Sequence, residues 1–370
     1  MTDAMDGLGS LDRDHVEQRA ARGDTSYLRE LGARLADRRE AAAEQAREYG
    51  RDLDHVVRVL ALTPGHDSLT HLLRLLDEES AGPVHPRFVA SLLAEHQDPA
   101  DVAAIVFDRP RADRLDELRA CLFHELVLRG VGIDAFRPLR TWTIVRPGRH
   151  ALTWLPAERR AMEAVVDFPS RSLRGSAGGS GSVLPTEGRM DPPTPRATDR
   201  CDLQDVATKD VYESIVAAPE AGEWGDQGAW VFRLDEAIAP EQVPALLPTL
   251  PMPCVDGLGP TGRFEIAIRP VDEIWRLLFA TASMGGMYGT GVQGAYGRLW
   301  AWQSLAGLSG ATAGASAEEV ERHASQSTWF QFEADAEWFH NDCGSDYGIA
   351  TLSPDRRRLA VLAATDTDTD

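Results

Sequence analysis

Lysine is almost missing from this chain: Lys209 stands alone against 37 arginines. A phosphate-loop lysine, a Schiff-base lysine or a kinase strand lysine would each have to be Lys209. It lies in ATKDVYES with no glycine-rich loop before it, which sets those three classes aside. No run of 18 apolar residues occurs, so no transmembrane helix is expected. The first residues, MTDAMDGLGSLDRDHVEQ, lack the apolar core of a signal peptide. The four cysteines, Cys121, Cys201, Cys254 and Cys343, are widely spaced and form no CxxC pair. Four free thiols in a reducing cytoplasm are therefore expected over two disulfides. Neither a GxSxG elbow nor a Walker sequence is present.

What is abundant is acid. The net charge is −20, unevenly placed: residues 1–200 carry 28 basic and 32 acidic side chains, residues 201–370 only 10 basic and 26 acidic. A body at −16 repels phosphate backbones, so nucleic-acid binding is not expected, and a basic protein partner suits it. A hydrophobic fraction of 43% in 370 residues supports a folded core, as two domains or one large one.

Apolar spacing predicts an α+β protein. Residues 1–24 read as disordered or weakly ordered, and residues 25–170 as a helical domain. Leu28, Leu31 and Leu35 fall on one helical face, as do Leu53, Val56, Val57 and Leu60, then Leu69, Leu72, Leu73 and Leu76. Pro86 opens a fourth helix, Asp98-Pro99 a fifth, and Leu115 to Leu126 carry a sixth that stops at Gly130. Helix starts about thirty residues apart fit a bundle or a short α-solenoid. TWTIVRPGRHALTWL, residues 141–155, alternates about Pro147-Gly148 as a β-hairpin would, and a short helix PAERRAMEAVVDF follows. Residues 171–200, rich in Gly, Ser and Pro, read as a flexible linker. Residues 201–370 read as an acidic α+β domain, a mixed or antiparallel sheet packed with helices. Its strands are expected at 229–234, 263–268, 328–334, 347–352 and 358–364, with Phe264, Ile266 and Ile268 on one face, and its helices at 240–247, 271–282, from 294 or 295 to 308, and 317–324.

The runs GAYGRLWAWQSLAGL, TWFQFEADAEWF and DYGIATLSPDRRRLAVLAATDTD resemble the C-terminal signature of an actinobacterial protein family of unknown function. The likeness covers roughly residues 228–370. It implies no activity, cofactor or site residue.

Reactive groups are densest in the loop His340-Asn341-Asp342-Cys343-Gly344-Ser345-Asp346. Here a thiol, an imidazole and two carboxylates could form a Cys-His nucleophile pair or offer ligands to zinc. Against this, catalytic Cys and His normally come from separate elements, and Asp342 and Asp346 suit a turn. Gly289-Thr290-Gly291-Val292-Gln293-Gly294 satisfies GxGxxG, but the helical IWRLLFATASMGG precedes it where a nucleotide fold needs a strand. Cys121 and His124 lie one helical turn apart without a second ligand pair, and His66 and His71 are five apart, one more than HExxH requires. The tail carboxylates Asp366, Asp368 and Asp370 lack the glycine and distal glutamate of a calcium loop.

No cofactor and no metal is expected. The reading that follows is a cytoplasmic interaction protein, adaptor or immunity-like, acting through its acidic α+β domain. The alternative is a hydrolytic enzyme centred on His340, Asp342, Cys343 and Asp346, aided by Glu265 or Asp335 and the Gly285–Gly297 loop.

Overall fold

A computed structural model describes residues 11–78, 85–108, 113–145, 150–173, 175–177, 187–190, 203–258, 262–286, 289–339 and 346–366. The chain divides into two compact units, Met1–Thr153 with Ser170–Ala177, and Trp154–Pro169 with Gly178–Asp370.

The first unit is helical: α1 Arg13–Ala21, α2 Thr25–Ala41, α3 Ala46–Leu62, α4 His66–Asp77, α5 Pro86–His96, α6 Pro99–Val102, α7 Asp116–Leu128 and α8 Arg137–Val145. Each of α2, α3 and α5 packs on the next helix but one, α4, α5 and α7 respectively, the neighbour pattern of stacked helices. The predicted apolar stripes are its core, with Leu28, Leu31, Leu35, Leu53, Val56, Leu60, Leu69 and Leu72 fully buried. Pro86 and Pro99 stand at helix starts as expected, and the Asp98 carboxylate accepts the Ala100 N–H at 2.7 Å.

Three expectations fail here. Residues 13–21 are a helix, capped by the Asp12 carboxylate accepting from His15 N–H at 3.1 Å, although only Val16 and Ala20 bury. The 141–155 hairpin is absent, because residues up to Val145 continue α8 and Ala151–Trp154 form a 3-10 turn. Leu139 and Trp142, three apart, share the inward side, with Trp142 edge-on to Phe107 at 5.7 Å. Thr141 and Thr143 return their hydroxyls to the helix carbonyls of Arg137 and Arg140. Pro147 and Gly148 lie outside the described residues. Part of the expected linker is ordered: β1 Ser170–Ser172 pairs antiparallel with β2 Gly175–Ala177, and Arg171 is buried against Glu95 at 3.6 Å.

The second unit holds β3 Arg189–Met190, α9 Lys209–Ile215, α10 Ala217–Ala221, β4 Asp226–Arg233, α11 Val243–Leu246, β5 Phe264–Arg269, α12 Val271–Met284, α13 Gln293–Ser309, α14 Ala317–Gln326, β6 Thr328–Ala334, β7 Tyr347–Leu352 and β8 Arg358–Thr365. Its sheet is antiparallel throughout, in the order β3-β5-β6-β7-β8-β4. Helices α12 and α13 lie on one face. The irregular stretch carrying Leu234, Val243, Leu247, Leu250, Met252 and Val255 covers the other. With both faces covered, every residue of β7 is buried, and the strand reads as an apolar run. Phe264, Ile266 and Ile268 do share a face, opposite Ala334, Phe332 and Phe330. Beside them a Cβ at Gly348 would collide with the Phe332 ring, so glycine there admits the aromatic over the strand.

The SPDRRR turn closes β7 to β8 and also ends α13. Arg358 donates to the Gly307 and Leu308 carbonyls at 2.7 and 2.6 Å, satisfying acceptors a helix terminus leaves open. PAERRAMEAVVDF is not a helix beyond the 3-10 turn Ala161–Glu163, because its glutamate is drawn inward. Fully buried Glu163 accepts from Arg298 at 2.7 and 2.8 Å, from Trp302 Nε1 at 2.7 Å and from Arg160 N–H at 2.8 Å. Arg298 donates further to the Pro156 and Glu158 carbonyls, so the buried pair is satisfied on both sides.

Candidate functional site

One end of the sheet brings two buried carboxylates together. Asp226 opens β4 opposite Thr365, and Tyr347 opens β7 opposite Ala364, which sets Asp346 beside the end of β8. Both Asp346 and Asp366 are buried, and the Asp366 N–H donates to Asp346 Oδ1 at 3.2 Å.

A glycine-rich corner closes over this end. Helix α12 stops at Gly285, whose N–H reaches the Thr281 carbonyl at 3.2 Å. Gly286 N–H donates to the Gly222 carbonyl at 3.0 Å, and Val292 N–H to the Ala282 carbonyl at 2.9 Å. A side chain at Gly286 would occupy the place of the Asp366 carboxylate, so that position must be bare. Trp224 Nε1 donates to the Thr281 carbonyl at 3.2 Å, and the Trp224 ring meets Tyr347 edge-on at 5.3 Å. Tyr347 is fully buried, and burial pushes its phenol up, so it stays protonated and offers no base.

Of the sequence-predicted residues, Asp346 therefore does meet the glycine loop, through Asp366. His340, Asp342 and Cys343 lie outside the described residues. Glu265 is engaged elsewhere, accepting from Arg189 at 3.1 Å and from Arg263 Nε at 2.6 Å. Those guanidinium groups offset the like charge of Glu333 directly across the strand pair. Asp335 is exposed at the end of β6, its backbone N–H on the Arg263 carbonyl. In the GxGxxG loop the amides of Gly289 and Val292 already serve protein carbonyls, as do those of Gly285 and Gly286 before it, and α12 precedes the loop where a nucleotide fold requires a strand.

The helical unit brings together a set that sequence spacing missed. It is centred on Cys121 and Glu117. The Cys121 thiol donates to Glu117 Oε1 at 3.6 Å, and Glu117 Oε2 takes His150 Nε2 at 2.8 Å. His150 Nδ1 accepts the Leu152 N–H, which leaves the ring proton on Nε2 for the carboxylate. Burial, with Glu117 and Glu125 nearby, pushes the Cys121 thiol well up, so it is inert as a nucleophile. His124 is buried, edge-on to Phe123 at 5.2 Å, and His66 stands 3.9 Å from Asp101. Among the described residues no group of three or more His, Cys, Asp or Glu could hold a metal ion. Cys121 and Cys254 are free and buried.

A cavity of about 450 Å³ opens between the start of α1 and the face of α3 that carries Glu48, Arg51 and Asp52. Asp12, Arg13 and Asp14 line its other wall, so it offers both signs of charge. Sequence reading had no access to it, since α1 was not expected to order.

No described helix is long and apolar enough to cross a membrane. Comparison with curated proteins and with solved structures returned no match. The model of a family of unknown function, DUF6183, matches residues 13–368. The match spans nearly the whole chain, the helical unit included, and the chain belongs to that family.

Proposed function

We propose that this chain works by binding a basic protein partner through residues 201–370, as a cytoplasmic adaptor or immunity-like protein. One observation carries the reading: most cations of this region are engaged by carboxylates or carbonyls, while many of its acids stand exposed. Lys209, Arg263, Arg269, Arg276 and Arg298 each pair with a carboxylate. Arg357 binds the Asp235 carbonyl and Arg358 the end of α13. Asp210, Glu213, Glu220, Glu223, Asp226, Asp235 and Glu236 are all exposed. Such a field attracts a positively charged surface, steers its approach and rejects nucleic acid. The buried free thiols suit a reducing compartment.

The test is affinity capture on the full-length chain at about 50 mM and about 500 mM salt. The expected result is a retained protein of basic charge, lost at the higher salt. It should re-form a stoichiometric complex when purified and titrated by calorimetry. Retention of nothing, or of a charge-neutral set indifferent to salt, counts against the reading.

A further inference from the structure

We propose that the docking face is the surface built by residues 205–226, and that its partner is an arginine- or lysine-rich protein segment carrying an apolar side chain. This rests on the interaction reading above and assigns it a place.

The surface combines three properties. The first is two exposed apolar side chains along one strand edge: Val206 is 49% and Tyr212 38% exposed, two of the few large apolar side chains so placed among the described residues. Both are fixed along the outer edge of β4. Val206 N–H donates to the Val231 carbonyl at 2.7 Å, and Tyr212 Oη donates to the Gln227 carbonyl at 3.2 Å. Together with Asp205, whose carboxylate accepts Val231 N–H at 2.9 Å, they occupy backbone groups that would otherwise recruit another strand. Part of the edge is thus already engaged, and two apolar anchors stand along it.

The second is charge. Asp210, Glu213, Glu220, Glu223 and Asp226 are exposed in the same stretch of chain, and Lys209 is held by Glu213 at 3.5 Å. Glu220 lies near enough to Tyr212 to act with burial in raising its phenol. Exposed apolar side chains among charged ones are what a specific contact surface offers, and the sign of the charge selects a cationic partner. A second copy of this chain would present the same negative charge and be repelled, as would an anionic membrane.

The third is rigidity. Thr208 Oγ1 caps α9 by accepting from Val211 N–H at 3.4 Å. Helices α9 and α10 are then bolted to α13: Ser214 Oγ donates to the Gln303 carbonyl at 2.9 Å, and Ala218 N–H to Ser304 Oγ at 2.9 Å. Ile215 is fully buried there, and Gly307 is bare where a side chain would meet its backbone. A face held this way loses little conformational freedom on binding.

The test is fluorescence anisotropy of the full-length chain with a labelled arginine/lysine-rich peptide bearing one central leucine, at low salt. Three chains are compared with the original: D210N/E213Q, Tyr212→Ser, and D335N/E337Q, which removes equal charge outside the surface. The expected result is about a tenfold loss for D210N/E213Q and a severalfold loss for Tyr212→Ser, with D335N/E337Q within about twofold of the original. Replacing the peptide leucine by serine should erase the Tyr212 effect. If the original binds but D335N/E337Q weakens it as much as D210N/E213Q, or Tyr212→Ser binds normally, the placement is wrong while the interaction reading stands. If the original does not bind the peptide at all, the reading of a basic partner fails first.

Discussion

His55 shows how burial overrules a favourable neighbour. It sits on α3 at 6% exposure, with Glu17 Oε1 3.9 Å from its Nε2. The carboxylate favours the imidazolium, but burial and Arg13 oppose it, and the ring's pKa is held below its ordinary 6.5. Burial lowers His71 in the same direction. A depressed folded-state pKa gives stability that is complete above about 6.5 and is lost as pH falls from there towards the folded value, because the unfolded chain takes up the proton first. Asp52, raised by burial, acts with the opposite sign, but in a window nearer its ordinary 3.8. Helicity melts followed by far-ultraviolet circular dichroism should therefore show a midpoint falling from about pH 7.5 to about pH 5.5, with a shallower slope in His55→Phe. An unchanged slope would mean that His55 binds its proton as readily in the folded chain as in the unfolded one. The same residue marks a limit of sequence reading. The stripe Leu53, Val56, Val57, Leu60 was legible, yet α3 also buries Asp52, His55 and Val59, because helices pack on it from several sides. A polar residue on a central helix looks outward-facing until its neighbours are known.

At the scale of elements, legibility followed how local the determinants are. Strands β5 to β8 and helices α12 to α14 could be placed from period and turn residues, since each carries its own apolar pattern. The stretch 156–169 could not, because its conformation serves a partner more than a hundred residues away. Glu163 reaches Arg298 and Trp302 on α13, while Trp154 Nε1 donates to the Ala315 carbonyl at 3.0 Å. Nothing in AERRAMEAV announces that its second glutamate is internal. The pair makes a sharp prediction. Glu163→Ala leaves a fully buried guanidinium without its carboxylate and should destabilise by about 3–5 kcal/mol in urea unfolding followed by tryptophan fluorescence. Glu163→Leu with Arg298→Met, which removes both charges and keeps apolar volume, should lose clearly less than the sum of the two single changes. Additive losses would show that the two side chains are not energetically coupled.

For the whole molecule the charge imbalance was plain in the sequence, whereas the sheet end was not. Asp346, Asp366, Gly286 and Gly222 meet only because β7 and β8 start and stop where α12 ends, a juxtaposition spread over more than a hundred residues. The imbalance has a consequence for stability as well as for recognition. Residues 201–370 carry 26 acids against 10 bases, and like charges crowded on a compact body repel. Salt shortens the reach of that repulsion from about 10 Å at 0.1 M to about 3 Å at 1 M. It also weakens exposed pairs such as Arg160–Glu318, but these contribute little each, and the buried Arg298–Glu163 pair is largely sheltered. Relief of repulsion should therefore win. Of the nine tryptophans only Trp142 lies outside the second unit, so tryptophan emission reports the acidic body almost alone. Its thermal midpoint should rise between about 20 mM and about 500 mM sodium chloride, by about 2–4 °C for each kcal/mol of repulsion screened. Chloride is the right anion, since sulfate would stabilise by exclusion from the surface whatever the charge. A flat or falling midpoint would mean that the exposed carboxylates stand farther apart than a screening length, and a surface that diffuse would also hold a cationic segment poorly.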